Sequence, residues 1–281
     1  MNRPIRLGIS TCPNDTFAFA ALMNRKISWR GLQFEVELLD IQQLNDRLFA
    51  GSFDVAKTSF HAAMMIADRF GVLPSGSALG FGVGPLLLAS ADDSKPSTAE
   101  ISEPKPLTLC PGQHTTATLL FHLFYPNTTR LRQVVFSQIM PDLKSGLADF
   151  GVCIHEGRFT WQDEGLFLVE DLGTRWETET GCPLPLGGLA ASKQLPPETI
   201  ETIQGVVRDS IEYSLASPQS ALPTMRQYAQ EFDDDVLMQH VDLYVNEWTV
   251  DLGDVGRRAL DVLAQKASRV GDYKTLDILT G

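Results

Sequence analysis

Between residues 5 and 90, short apolar runs alternate with stretches whose apolar positions recur at helical spacing. The runs at 5–9, 33–38, 54–58 and 83–89 read as strands, and 16–24, 41–50 and 60–70 read as helices. Strand and helix in turn predict βαβ units and a mainly parallel sheet. Residues 107–170 repeat the alternation. The polar stretch 91–106, rich in Pro, Ser and Asp, reads as an exposed crossing between the two blocks. Residues 171–192, with Gly173, Gly181, Pro183, Pro185, Gly187 and Gly188, read as the return crossing. After Pro196-Pro197, Ile200, Ile203, Val207, Ile211 and Leu215 keep helical spacing, so a long amphipathic helix is predicted. Further helices are expected at 221–232, 234–244 and 254–268, packed on the first block.

Two stretches match at one constant offset. Leu44 to Val55 reads as a helix end, a glycine stop and a strand entry, and Met140 to Phe150 does the same. Gly51 then aligns with Gly146, and Asp54 with Asp149. The repeat predicts two lobes on one strand–helix–strand plan. Residues 1–92 with 189–281 form lobe 1, and 93–188 form lobe 2. The crossings near 90–95 and 186–192 are expected to act as a hinge, with Gly187 and Gly188 absorbing the backbone change.

Ligands of open α/β sheets bind outside the carboxyl ends of strands. Four polar segments meet that condition: 10–16, 57–61, 112–116 and 155–158. Ser10-Thr11-Cys12-Pro13-Asn14-Asp15-Thr16 carries a strand into a helix, and Pro111-Gly112-Gln113-His114-Thr115-Thr116 does so in lobe 2. The first N–H groups of a helix have no partner within it, so such turns suit an anion. Asn14, Asp15, Thr115 and Thr116 read equally as ordinary N-caps. Lys57 suits a negative charge or stands solvated at a strand end. His155 is chemically capable near neutral pH, or it caps a carbonyl. His114 ranks next among the histidines. Arg158 does not titrate, so it binds substrate or an internal carboxylate. Phe17, Phe60 and Phe159 read as core or as aromatic walls.

Composition narrows the partners. With 281 residues, 43% of them hydrophobic, the chain can bury a sizeable core. A net charge of −12 argues against nucleic acid and anionic membrane as partners. No apolar segment follows Met1-Asn2-Arg3-Pro4-Ile5-Arg6, so no leader is expected and a cytoplasmic location is. Cys12, Cys110, Cys153 and Cys182 form no CxxC pair and no zinc spacing, so free thiols and no metal are expected. Cys12 reads as a cleft-lining residue. Nothing in the chain points to a protein partner.

These strings resemble one enzyme family, the 1,4-dihydroxy-6-naphthoate synthases of the futalosine route to menaquinone. The resemblance rests on Ser10 to Phe17, Asp54 to Ala62, Thr115-Thr116-Ala117, Ile154-His155-Glu156-Gly157-Arg158-Phe159, Pro183 to Gly188 and His240 to Asn246, in that order. Thr11 stands where the family is expected to carry proline, at a turn position. The resemblance implies a type II periplasmic-binding-protein-like fold, two-lobed α/β with a double crossover hinge and an inter-lobe cleft. It implies a lyase that converts cyclic dehypoxanthinyl futalosine, a carboxylate, by breaking a carbon–carbon bond and releasing the sugar-derived fragment. No cofactor is implied. His155 is then the general base. Lys57, Thr58 and Ser59 bind substrate from one lobe and Thr115 and Thr116 from the other, with Cys12, Asn14, Asp15 and Arg158 nearby. Two other readings stay open: chorismate dehydratase of the same pathway, which should show a Tyr-x-Asn turn, and a non-catalytic solute-binding protein, which would need export.

Overall fold

A computed structural model describes residues 3–90, 96, 105–155, 157–228 and 233–279. Two mixed sheets carry the fold. The first has the order β2 (Phe34–Leu39), β1 (Ile5–Ser10), β3 (Val55–Ser59), β11 (Leu184–Ser192) and β4 (Phe70–Val72), with β5 (Ala78–Gly80) also paired to β11. The second has the order β10 (Phe167–Asp171), β6 (Leu86–Ala89), β9 (Phe150–Cys153), β7 (Leu107–Cys110) and β8 (Arg130–Gln133). In both, a parallel trio meets an antiparallel strand: β2-β1-β3 meets β11, and β8-β7-β9 meets β6. The first sheet is therefore less parallel than predicted, since β4 and β5 also run against β11.

The antiparallel strands are the crossings' products. The chain leaves the first sheet after β5 and enters the second as β6, so residues 81–85 cross. It returns between helix α8 (Leu172–Thr180) and β11, across 181–183. The expected boundaries at 92/93 and 188/189 miss the change of sheet: β6 belongs with lobe 2, and all of β11 with lobe 1. Most of 91–106 lies outside the described residues, but it leads from β6 to β7 within one sheet. Gly187 and Gly188 are not a hinge. They pair with Ser59 and Thr58 in mid-sheet. A Cβ on Gly187 would stand 2.5 Å from the Thr58 carbonyl oxygen, and that close approach is what requires glycine. The first crossing touches the start of α8 backbone to backbone, where a Cβ on Gly84 would meet the Gly173 Cα at 2.1 Å.

Helices cover both sheets. The stretch expected at 16–24 is two short helices, α1 (Pro13–Ala18) and α2 (Ala20–Met23), broken at Phe19. Helix α3 (Ile41–Phe49) starts in a capping box on Asp40 and stops at Gly51, whose φ is +73°. Helix α4 (Phe60–Met65) is shorter than predicted, because β4 begins at Phe70. Lobe 2 adds α5 (Thr116–Phe124), α6 (Ile139–Lys144), α7 (Gly157–Thr160) and α8. Then follow α9 (Pro197–Ala216), α10 (Leu222–Tyr228), α11 (Asp234–Tyr244), α12 (Glu247–Val250) and α13 (Gly253–Ala267). Helix α9 packs on α1 and α2 as expected. Helix α13 does not stay with lobe 1: it packs on β11 and α5, and Lys266 pairs with Glu179 of α8 at 2.8 Å. Phe60, Leu120, Trp176 and Leu263 share one core, so both lobes are joined by apolar burial behind the cleft. Phe17 and Phe60 are core residues. No described helix is long and apolar enough to cross a membrane.

Candidate active site

The strand–turn–helix at the start of the chain builds one wall. Cys12 is the N-cap of α1, with extended backbone and Pro13 in the first turn. Its side chain makes no capping bond. The first turn of α1 faces inward, so Asn14 and Asp15 are buried. Lys57, the central residue of β3, donates to Asp15 Oδ1 at 2.7 Å and to the Gly76 carbonyl at 2.9 Å. Both side chains of this pair are about 5% exposed, 6% for Lys57 and 4% for Asp15. Burial pushes the Asp15 carboxyl above its ordinary range, and the Lys57 ammonium opposes that shift. Asn14 Nδ2 also donates to Asp15 Oδ1, at 3.0 Å. That bond turns Asn14 Oδ1 toward His240 Nε2, 3.2 Å away, so the neutral His240 ring carries its hydrogen on Nε2. Burial, with His155 beside it, pushes His240 down to about 3.

His155 stands on the opposite wall, past the end of β9, with φ +57°. A non-glycine residue there carries backbone strain, a feature that clusters at functional sites. Its ring nitrogens lie 3.6 and 3.5 Å from the Cys12 Sγ. The edge of Phe136 meets the ring at 4.8 Å, and His240 stacks on it at 6.2 Å with planes 29° apart. Tyr244 follows His240 by one turn of α11 and packs on it at 4.5 Å.

The first turn of α5 completes the enclosure. Thr115 is its N-cap: Oγ1 accepts from Thr118 N at 3.3 Å and donates to the Gly112 carbonyl at 2.8 Å. Thr116 Oγ1 donates across the lobes to the Leu186 carbonyl of β11 at 2.7 Å. The backbone N–H groups of Thr116 and Ala117 take no partner among the described residues, and both residues line the cavity. The cavity has a volume of about 100 Å³. Its apolar wall is made by Ile41, Val83, Pro85, Ile154 and Leu186.

Eight of the ten residues expected here line this cavity: Cys12, Asn14, Asp15, Lys57, Ser59, Thr115, Thr116 and His155. Thr58 does not. It points to the other face of β3 and donates to Asn45 Oδ1 of α3 at 2.8 Å. Arg158 does not line it either. Its guanidinium donates to the Gly84 carbonyl and to Asp171 Oδ2, each at 2.6 Å, and so fastens α7 to the first crossing. Phe159 is 38% exposed and outside the cavity. His114 lies against Phe49 and near Asp46, also outside. His240, not His114, is the second imidazole of the cavity. Sequence spacing gave little access to it, since α11 is remote in the chain, though the His240/Tyr244 pair at helical spacing was a signal. Cys110 and Cys153 are buried thiols pushed up to about 12 by desolvation. None of the four cysteines is in a disulfide. Among the described residues no group of three or more His, Cys, Asp or Glu side chains gathers as a metal site.

Comparison with known proteins bears on this geometry. Residues 5–269 match a family described as menaquinone biosynthesis. The chain is 38% identical over 267 residues to the 1,4-dihydroxy-6-naphthoate synthase of Thermus thermophilus, covering 95% of each chain. It is 35% identical over 272 residues to the Streptomyces coelicolor enzyme of that name, covering 95% and 94%. A crystal structure from Archaeoglobus fulgidus superposes with TM-score 0.87 at 29% identity, covering 95% of this chain and 98% of that one. The periplasmic aliphatic sulphonate-binding protein of Escherichia coli superposes with TM-score 0.64 at 10% identity over 99% of this chain and 91% of its own, a likeness of fold alone.

Proposed function

Because the chain belongs to the 1,4-dihydroxy-6-naphthoate synthase family of menaquinone biosynthesis, we propose that it is a carbon–carbon lyase. Its substrate is cyclic dehypoxanthinyl futalosine, and its product 1,4-dihydroxy-6-naphthoate. The observation that carries the reading is the position of His155. An imidazole carried on a left-handed backbone stands in the cavity, facing a buried Lys57–Asp15 pair and the open first turn of α5.

In this reading His155 takes the proton whose loss starts the bond cleavage. Lys57 has three N–H donors, of which Asp15 and Gly76 take two; the third serves negative charge that develops on the substrate. The N–H groups of Thr116 and Ala117 receive the substrate carboxylate at the α5 N-terminus. The apolar wall and the His240–Tyr244 pair hold the ring system of the product. A cytoplasmic location is part of the proposal and is supported by four cysteines that form no disulfide. No nucleic acid, membrane or protein partner is part of it.

Incubating the protein with cyclic dehypoxanthinyl futalosine and following the naphthoate chromophore tests the proposal. Product formed by the wild type and lost in His155→Asn supports it. Ligand recovered unchanged from the wild type would leave a binding protein of the same fold.

A further inference from the structure

Behind the first turn of α5 lies a buried contact that the site above does not use. His61, in α4 of lobe 1, is 4% exposed. Its Nδ1 lies 3.0 Å from the Thr115 carbonyl, which can only accept, so Nδ1 carries the hydrogen. In a neutral ring Nε2 is then an acceptor, and it receives the Tyr273 hydroxyl at 2.8 Å. His61 N also donates to Thr116 Oγ1 at 3.4 Å. Tyr273 stands in the segment after α13, beyond residue 269 where the family match ends. Backbone bonds tie that segment to lobe 1: Lys274 N donates to the Met64 carbonyl at 3.3 Å, Val72 N to Asp277 O and Leu279 N to Val72 O at 2.8 Å.

We propose that Tyr273 and His61 are positioning residues: a latch from the C-terminal segment that fixes the ligand-facing first turn of α5 against lobe 1. The latch acts on Thr115 and Thr116, not on substrate. Without the Tyr273 hydroxyl, Nε2 loses its donor and the His61 ring is held at Nδ1 alone, which loosens the tie between lobe 1 and the Thr115 carbonyl, itself also the acceptor of Leu119 N at 3.2 Å. The N–H groups of Thr116 and Ala117 then wander relative to Lys57 and His155. The ligand role of that turn rests on the function proposed above; the latch itself does not.

Tyr273→Phe removes one hydrogen bond and keeps the ring that packs on His61 at 5.2 Å. Two measurements follow. In ligand-free protein, amide exchange at 118 and 119, whose N–H groups bond to Thr115, should rise several-fold while exchange in α9 stays unchanged. With substrate, KM should rise roughly three- to tenfold, the size of one neutral hydrogen bond, with kcat within about twofold. Asp277→Ala, which loosens the same segment at its Lys193 pair, should move neither. Faster exchange in a protein whose wild type makes no naphthoate would uphold the latch and reject the proposed function. Unchanged exchange at 118 and 119 in folded Tyr273→Phe would overturn the latch, as would an equal KM effect from Asp277→Ala.

Discussion

Residues 51–60 and 146–155 hold equivalent places in the two sheets, and over most of that length they are built alike. Gly51 and Gly146 end their helices at φ +73° and +72°. Asp54 and Asp149 each exchange backbone bonds with the first parallel strand, donating to the Arg6 and Leu107 carbonyls at 3.0 Å. Their carboxylates accept from the N–H groups of those same residues, at 2.9 and 2.7 Å. The copies part at the strand ends. Lys57, in the cavity, stands where lobe 2 has the core residue Val152. Phe60, wholly buried, stands where lobe 2 has His155. Lobe 1 runs from an extended Ser59 straight into α4, whereas lobe 2 turns through a left-handed His155. Shared positions make the scaffold, and the diverged ones make the chemistry.

The largest expected effect falls on the most diverged position. His155→Asn should lower turnover by about a hundred- to ten-thousand-fold while 1,4-dihydroxy-6-naphthoate still binds in a titration. Asparagine tolerates the left-handed backbone, so the loss reports the ring and not a refolded turn. Turnover near the wild-type rate would move the base elsewhere, with His240 next to be replaced.

Lys57→Met makes the centre of β3 as apolar as its counterpart in lobe 2. It leaves Asp15 buried without its cation, and stability should fall by about 3–5 kcal/mol in urea denaturation. Lys57→Met combined with Asp15→Leu should regain most of that loss. If the double variant is no more stable than the single one, packing rather than charge is what the pair supplies.

Acid should act through the two buried imidazoles that lobe 1 and α11 press against the cleft. Burial pushes His61 down to about 4 and His240 to about 3. Both folded pKa values lie below the ordinary 6.5, so as pH falls the unfolded chain binds these protons first. Stability is therefore full above about pH 6.5 and is lost between there and about pH 3–4, by up to about 1.4 kcal/mol per pH unit for each histidine. His240→Gln should flatten that slope in denaturation series at pH 7, 6 and 5. An unaltered slope would mean that other groups carry the acid sensitivity.

Much of this was legible in the chain, and the failures have a common cause. The glycine stops and strand-entry aspartates showed because they are local and recur at one offset. The exchange of β6 and β11 between sheets did not, because an apolar run reads the same whichever neighbour it pairs with. Gly187 and Gly188 read as a turn, although a close approach to Thr58 explains them. Lys57 and Ser59 share one face of β3 and Thr58 takes the other, so period-two alternation already separated the cavity residues from the structural one. Arg158 follows His155 by only three residues, but sequence does not give direction, and its guanidinium turns to Gly84 and Asp171.

The smallest effect separates the two strand-to-helix turns. Thr115 caps α5 with its hydroxyl, whereas Cys12 begins α1 with no side-chain cap. Thr115→Val should therefore cost about 1 kcal/mol of stability. Cys12→Ala should cost little, because no capping bond is lost. Turnover should reverse the order. Cys12 touches the His155 ring, while the Thr115 hydroxyl is engaged with Gly112 and Thr118. Thermal melts and initial rates on the two variants give both comparisons at once. A Cys12→Ala protein that melts lower than Thr115→Val, or turns over faster, would show that the first turn is structural in the way the second one is.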